Sequence, residues 1–160
     1  MLPERLTIRI VHPCGELSRY RAQLEAGLAQ LEAYGCEVRW DPLKGSSNWR
    51  GLYAGNDDAR FSEFISAVTE PGVHLVWCAR GGSGANRIAD RIVERCRSIA
   101  PRPVIGFSDV CALINPLWDY LAWQTYHGPV VTSLAAEQPR TCLNEVMSVV
   151  RNSSGQILVP

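Results

Sequence analysis

Several things are scarce in this chain, and each scarcity removes a class of function. Acidic and basic residues balance at 16 each. No charge excess therefore marks the chain for nucleic acid or for an anionic membrane surface. Lysine is almost absent: Lys44 is the only one, and arginine carries the remaining positive charge. The six cysteines are Cys14, Cys36, Cys78, Cys96, Cys111 and Cys142. No two are close enough for a C-x-x-C pair, and no histidine completes a zinc pattern. Most fall in apolar runs and read as buried, reduced thiols of a cytosolic protein, with no metal or other cofactor implied. No apolar run approaches the roughly 20 residues of a membrane helix. Residues 1–9 carry no signal-type apolar stretch, so the expected location is cytoplasmic. Internal repeats and low-complexity segments are missing as well.

What is present is an ordinary globular composition, 46% hydrophobic and 20% charged, in 160 residues. That is enough for one domain with its own core. Short β-rich runs alternate with helical stretches. Residues 6–12, 36–40, 73–78, 103–106 and, most weakly, 124–126 read as strands. Residues 73–78 are apolar apart from His74, as suits a parallel strand buried on both faces. Leu17, Tyr20, Leu24, Leu28 and Leu31 recur at helical spacing, with Gly35 placed to cap that helix. Asn56 or Asp57 can start a second helix carrying Phe61, Phe64, Ile65 and Val68. A third places Ile88, Ile92, Val93 and Cys96 on one side. Ser108 or Asp109 is expected to cap a fourth, 110–123, which Pro116 should kink or divide. A final amphipathic helix is expected over 143–151. This alternation predicts an α/β fold: a doubly wound, mainly parallel sheet with helices on both faces, a flavodoxin- or Rossmann-like three-layer sandwich. Ligands of such folds bind outside the carboxyl ends of the strands.

Two loops directly follow strands and can meet there. Gly106-Phe107-Ser108-Asp109 is half of a G-x-S-x-G turn, with Val110 in place of the second glycine. Such a turn exposes a serine hydroxyl and aims backbone N–H groups at the space where an oxyanion would form. A plain helix-capping serine is the alternative. Arg80-Gly81-Gly82-Ser83-Gly84 can lend an oxyanion donor or cradle an anion. It is not a phosphate-binding P-loop, because no Gly-Lys-Ser/Thr follows. Nor is it a dinucleotide fingerprint, since Arg87 stands where a third glycine belongs. His12 and His74 lie in apolar strands and read as core histidines. His127 precedes Gly128-Pro129 in a turn; in principle it serves Ser108 as a base, and nothing in the spacing favours that.

In combination, these segments resemble the serine LD-carboxypeptidase family, which spans the muramoyl-tetrapeptide carboxypeptidases and the microcin C self-immunity proteins. Four ordered blocks carry the resemblance. Residues 52–60, LYAGNDDAR, are similar to the family's Y-L-A-G-T-D-E-E-R. Residues 80–87, RGGSGANR, are similar to R-G-G-Y-G-A-N-R. Residues 105–113, IGFSDVCAL, are similar to I-G-Y-S-D-I-T-A-L. Residues 125–129, TYHGP, are similar to T-F-H-G-P. Ser83 departs from the usual tyrosine, and His12-Pro13-Cys14-Gly15 departs from A-P-S-S.

The resemblance implies that Ser108 is the nucleophile. It implies oxyanion donors at the Asp109 N–H and, less directly, the Gly82 N–H. It puts Arg80, Gly81 and Ser83 at the substrate, and it gives His127 a structural role. The implied activity is hydrolysis of an L,D peptide bond, releasing the terminal D-alanine of murein tetrapeptide during peptidoglycan recycling. The implied partners are a murein-peptide-like small substrate and a C-terminal catalytic domain, in cis or in trans, that supplies a Glu and a His. Neither nucleic acid nor membrane is implied; a homodimer is compatible. Residues 1–150 are then the N-terminal, nucleophile-bearing domain, and residues 151–160 begin the linker to the C-terminal domain. On this reading the 160 residues alone are inactive. Leu134, Leu143, Val146, Met147 and Val150 are expected to form an exposed apolar patch. Two other readings belong beside this one. The first is a non-catalytic peptide- or carboxylate-binding remnant of the family. The second is an aminoacyl-nucleotide hydrolase of the microcin-immunity type. A nucleotide-binding domain has only the fold and residues 81–84 behind it.

Overall fold

The structure is a computed structural model that describes residues 3–45, 49–135 and 139–152, the side chains of 139–142 excepted. Five strands form one sheet: β1 (Thr7–Val11), β2 (Glu37–Arg39), β3 (Leu75–Cys78), β4 (Val104–Gly106) and β5 (Thr125–His127). Their order is β2-β1-β3-β4-β5, and every neighbouring pair is parallel. The chain therefore winds one way from β1 to β2 and the other way from β3 onward. All five carboxyl ends share one edge, and the winding reverses between β1 and β3.

Among the described residues, five α-helices cover the sheet: α1 (Arg21–Ala33), α2 (Asp57–Thr69), α3 (Ala89–Cys96), α4 (Cys111–Leu121) and α5 (Pro139–Asn152). The strands alternate their side chains between two cores. Leu75 and Trp77 of β3 face a core shared with Leu24, Leu28 and Leu31 of α1 and Leu143, Met147 and Val150 of α5. Val76 and Cys78 face the other, with Phe64 of α2, Ile92 of α3 and Leu113 and Leu117 of α4. Fully burying a side chain of this size contributes about 1.5–3 kcal/mol, so the two cores carry the fold. Trp77, fully buried, donates its indole N–H to the Pro129 carbonyl at 2.7 Å.

Local signals work where they are backbone-level. Asn56 accepts from the Ala59 N–H at 2.8 Å and caps α2. Gly35, at φ 97°, closes α1, with the Cys36 N–H bonded to the Leu31 carbonyl. Three expectations need correction. Pro116 does not divide α4, which runs unbroken across it. Neither Ser108 nor Asp109 is the cap before α4: the extended residue there is Phe107, and a 3-10 turn over Ser108–Val110 leads into the helix. The expected apolar patch is not exposed. Leu134, Leu143, Met147 and Val150 are buried, and Val146 is packed against the same core, because α5 folds back onto α1 and the turn at Val131–Ala135. Residues 151 and 152 of the expected linker continue α5; residues 153–160 lie outside those described. Of the cysteines, Cys14, Cys36, Cys78 and Cys96 are buried and free, and Cys111 is half-buried and free. The side chain of Cys142 lies outside the description. No helix among the described residues is long and apolar enough to cross a membrane.

Candidate active site

The two loops singled out in the sequence do meet. β3 ends at Cys78 and β4 at Gly106, so residues 80–84 and 107–109 leave the same sheet edge side by side. Their approach is close enough to demand glycine. A Cβ on Gly81 would lie 3.0 Å from Ser108 Cβ, 3.2 Å from the Phe107 carbonyl oxygen and 3.4 Å from Ser108 Oγ. A Cβ on Gly106 would strike Val110 at 2.4 Å, which is what lets the chain turn so sharply after β4.

Ser108 sits in that turn with φ 63°. The left-handed region is costly for a residue with a Cβ, on the order of 1–3 kcal/mol, and persists only where neighbours enforce it. Ser108 is exposed, and its hydroxyl has no hydrogen-bond partner among the described residues. The same holds for the backbone N–H groups of Asp109 and Gly82. Gly82 and Gly84 both take left-handed φ, 109° and 110°. A side chain on Gly82 would run into Gly15, with its Cα at 3.0 Å, rather than into Ser108. It is Gly81 that faces the serine directly. Ser83 is exposed.

Four sets of contacts, hardly evident in the sequence, hold this arrangement. The Asp109 carboxylate accepts from the Ala85 N–H at 2.8 Å, so the residue after Ser108 is tied to the end of the glycine loop. Burial, first among the causes, pushes the Cys14 thiol well above its ordinary pKa. Arg60, almost wholly buried, donates to the carbonyls of Gly55 at 3.1 Å, Pro13, and Gly84 at 2.7 Å, and pairs with Asp57. Arg80 donates to the Glu16 carbonyl at 2.9 Å and lies 3.8 Å over the Tyr20 ring. That guanidinium, expected at the substrate, is thus engaged with the protein. The Gly15 N–H donates to the Gly81 carbonyl at 3.0 Å and completes the frame. An Asp-x-x-Arg spacing on α2 was the one signal of the Arg60 hub, and it reads equally well as a solvated surface pair.

The histidines separate clearly. His12 is buried and takes two contacts from Glu63: its Nδ1 lies 2.8 Å from one carboxylate oxygen and its backbone N–H donates to the other at 3.1 Å. His74 accepts from the Thr7 N–H through Nδ1 at 3.0 Å. His127 is exposed at the end of β5 beside β4, with its ring 5.2 Å from that of Phe107. Its neighbour Gly128 donates to the Gly106 carbonyl at 3.0 Å, so this block extends the sheet ladder beneath the serine turn.

Residues 8–128 match the sequence profile of the LD-carboxypeptidase N-terminal domain. The chain belongs to the LD-carboxypeptidase family. Similarity to individual members agrees. A Streptomyces coelicolor protein named as a carboxypeptidase is 32% identical over 163 residues, 96% of this chain and 52% of that protein. The murein tetrapeptide carboxypeptidase of Pseudomonas aeruginosa is 34% identical over 112 residues, covering 69% of this chain and 36% of that enzyme. Among solved structures, the microcin C7 self immunity protein superposes with a TM-score of 0.85 at 17% identity, over 99% of this chain and 49% of its own. The muramoyltetrapeptide carboxypeptidase of Oxalobacter formigenes superposes at 0.69 and 20% identity, over 92% of this chain and 48% of its own. At those identities the structures speak for the fold. The chain spans about half the length of the first of these relatives and of both solved structures.

Proposed function

We propose that this chain is the nucleophile-bearing domain of an LD-carboxypeptidase-like serine hydrolase. Ser108 Oγ attacks the carbonyl of an L,D peptide bond and expels the terminal D-alanine of a murein tetrapeptide. The observation that carries this is the left-handed Ser108, exposed and with no hydroxyl partner among the described residues, at a strand-to-helix turn pressed against Gly81. The N–H groups of Asp109 and Gly82 are the donors for the tetrahedral oxyanion; their lack of other acceptors supports that role. A serine hydroxyl needs a base to take its proton. His127 is the only exposed histidine in the chain, and its ring stands against Phe107. The base, with the Glu that orients it, is therefore assigned to a second domain supplied in cis or in trans, in line with the greater length of the relatives. That domain would also hand the proton to the leaving amine. The reaction would take place in the cytoplasm.

Identity to a murein tetrapeptide carboxypeptidase, 34%, supports the peptide substrate. The fold's similarity to the microcin C7 self immunity protein, TM-score 0.85, keeps an aminoacyl-nucleotide substrate as the second reading. The test is release of D-alanine from murein tetrapeptide by the chain, with and without a C-terminal domain from a relative. Release only with the second domain, lost in Ser108→Ala and kept in His127→Ala, is the expected result. Robust release by the chain alone, abolished by His127→Ala, would place the base within these residues instead. No release in either case would favour the non-catalytic binding reading.

A further inference from the structure

One wall beside the glycine loop has no part in the chemistry above. Residues 49–53 fold into a tight hairpin: the Trp49 N–H donates to the Tyr53 carbonyl at 3.1 Å, and the Tyr53 N–H donates back at 3.2 Å. Its two central residues, Arg50 and Gly51, take φ 56° and 75°, the paired left-handed conformation of a type I′ turn. Glycine or asparagine is the natural first residue of such a turn; here it is arginine, at the cost of strain. The Arg50 guanidinium lies 4.5 Å over the Trp49 ring, which lies 5.7 Å from that of Tyr53. The hairpin is fixed to the site. Tyr53 bridges to Gly15, Leu52 accepts from the Glu16 N–H, and a Cβ on Gly84 would meet the Tyr53 ring at 2.6 Å.

The neighbouring arginines are spoken for: Arg60 and Arg87 pair with Asp57, and Arg91 pairs with Asp58. Arg50 is exposed and has no acidic partner among the described residues. A planar guanidinium laid flat on an indole keeps its outer N–H edge for a carboxylate, which it can bind with two parallel hydrogen bonds.

We propose that the hairpin is an anion subsite in which Arg50, laid on the Trp49 ring, binds a carboxylate of the peptide substrate. The ligand class rests on the peptidase reading above, since a carboxypeptidase substrate carries a free carboxylate by definition. The subsite itself needs no nucleophile, so it is tested in the Ser108→Ala chain by equilibrium binding of murein tetrapeptide. Arg50→Gly is the informative change. It removes the cation but suits φ 56°, so thermal unfolding should occur at no lower a temperature. Binding should weaken by about tenfold or more, the scale of one charge-assisted contact. Its salt dependence should flatten as well. Two further peptides, amidated at the C-terminus or at the side-chain carboxylates, identify the group held: the one that binds parent and Arg50→Gly equally has lost it. Equal affinity of the two proteins for the unmodified peptide would overturn the subsite, as would failure of the parent to bind it. Both results stand whether or not D-alanine release succeeds.

Discussion

The two edges of the sheet use left-handed backbone for different ends. At the amino edge, Gly35 and Gly72 have φ 97° and 78°, and a Cβ there would meet nothing within 4 Å or only the tip of Arg39 at 3.7 Å. These glycines let a helix end or a turn close, in open space. At the carboxyl edge, Gly15, Gly81, Gly82, Gly84 and Gly106 are hemmed in by neighbouring loops at 3.0 Å or less. There the missing side chain is what allows three loops to touch. The same edge also holds two residues that should avoid left-handed backbone and do not, Ser108 and Arg50. Crowding concentrates where we place the chemistry; the amino edge keeps one left-handed non-glycine residue, Ala122 at φ 53° before β5, and is otherwise relaxed.

That contrast can be broken at several points. The largest effect is expected at the serine. Ser108→Ala, assembled with a second domain, should lower D-alanine release by about 10⁴-fold or more while the fold is kept. Gly81→Val at the same edge should also abolish turnover, because its side chain would displace Ser108. Arg60→Ala comes next. It strands the buried carbonyls of Gly55 and Pro13 and leaves Asp57 with Arg87 alone, and should cost about 3–5 kcal/mol in denaturant unfolding.

Asp57→Asn should cost about 2 kcal/mol at neutral pH, since hydrogen bonds from Arg87, and then from Arg60, hold its carboxyl below the ordinary carboxylate range. A depressed carboxyl stabilises the fold above its unfolded pKa and loses that contribution as the pH falls through its folded value. The gap between wild type and Asp57→Asn should therefore close only in acid, below about pH 4. The smallest effect belongs to the relaxed edge. Gly35→Ala should cost about 1 kcal/mol for the left-handed backbone and leave turnover unchanged. A Gly35→Ala that lost activity, or a Gly81→Val that kept it, would erase the distinction.

The fold was legible because its signals are redundant. Residues 75–78 are apolar throughout, since both faces of β3 are covered. Leu24, Leu28 and Leu31 are spaced for one helix face. Strand order was not legible, because parallel pairing is decided by contacts far apart in sequence. For the same reason Leu143, Met147 and Val150 showed themselves as an apolar face but not what covers it. At the site, the G-F-S-D turn alone could not be told from a helix cap; the four family blocks made Ser108 stand out. The Asp109 bridge to Ala85 left no trace, as nothing in a side chain's identity says which loop it will tie.

The most direct test of the account is covalent. A serine-reactive fluorophosphonate is added to the chain assembled with a relative's C-terminal domain, and the adduct is located by peptide mass spectrometry. The account predicts one adduct, on Ser108, absent in Ser108→Ala and slowed when the second domain is omitted. An adduct on Ser83 or another serine, or equal labelling of Ser108→Ala, would contradict it.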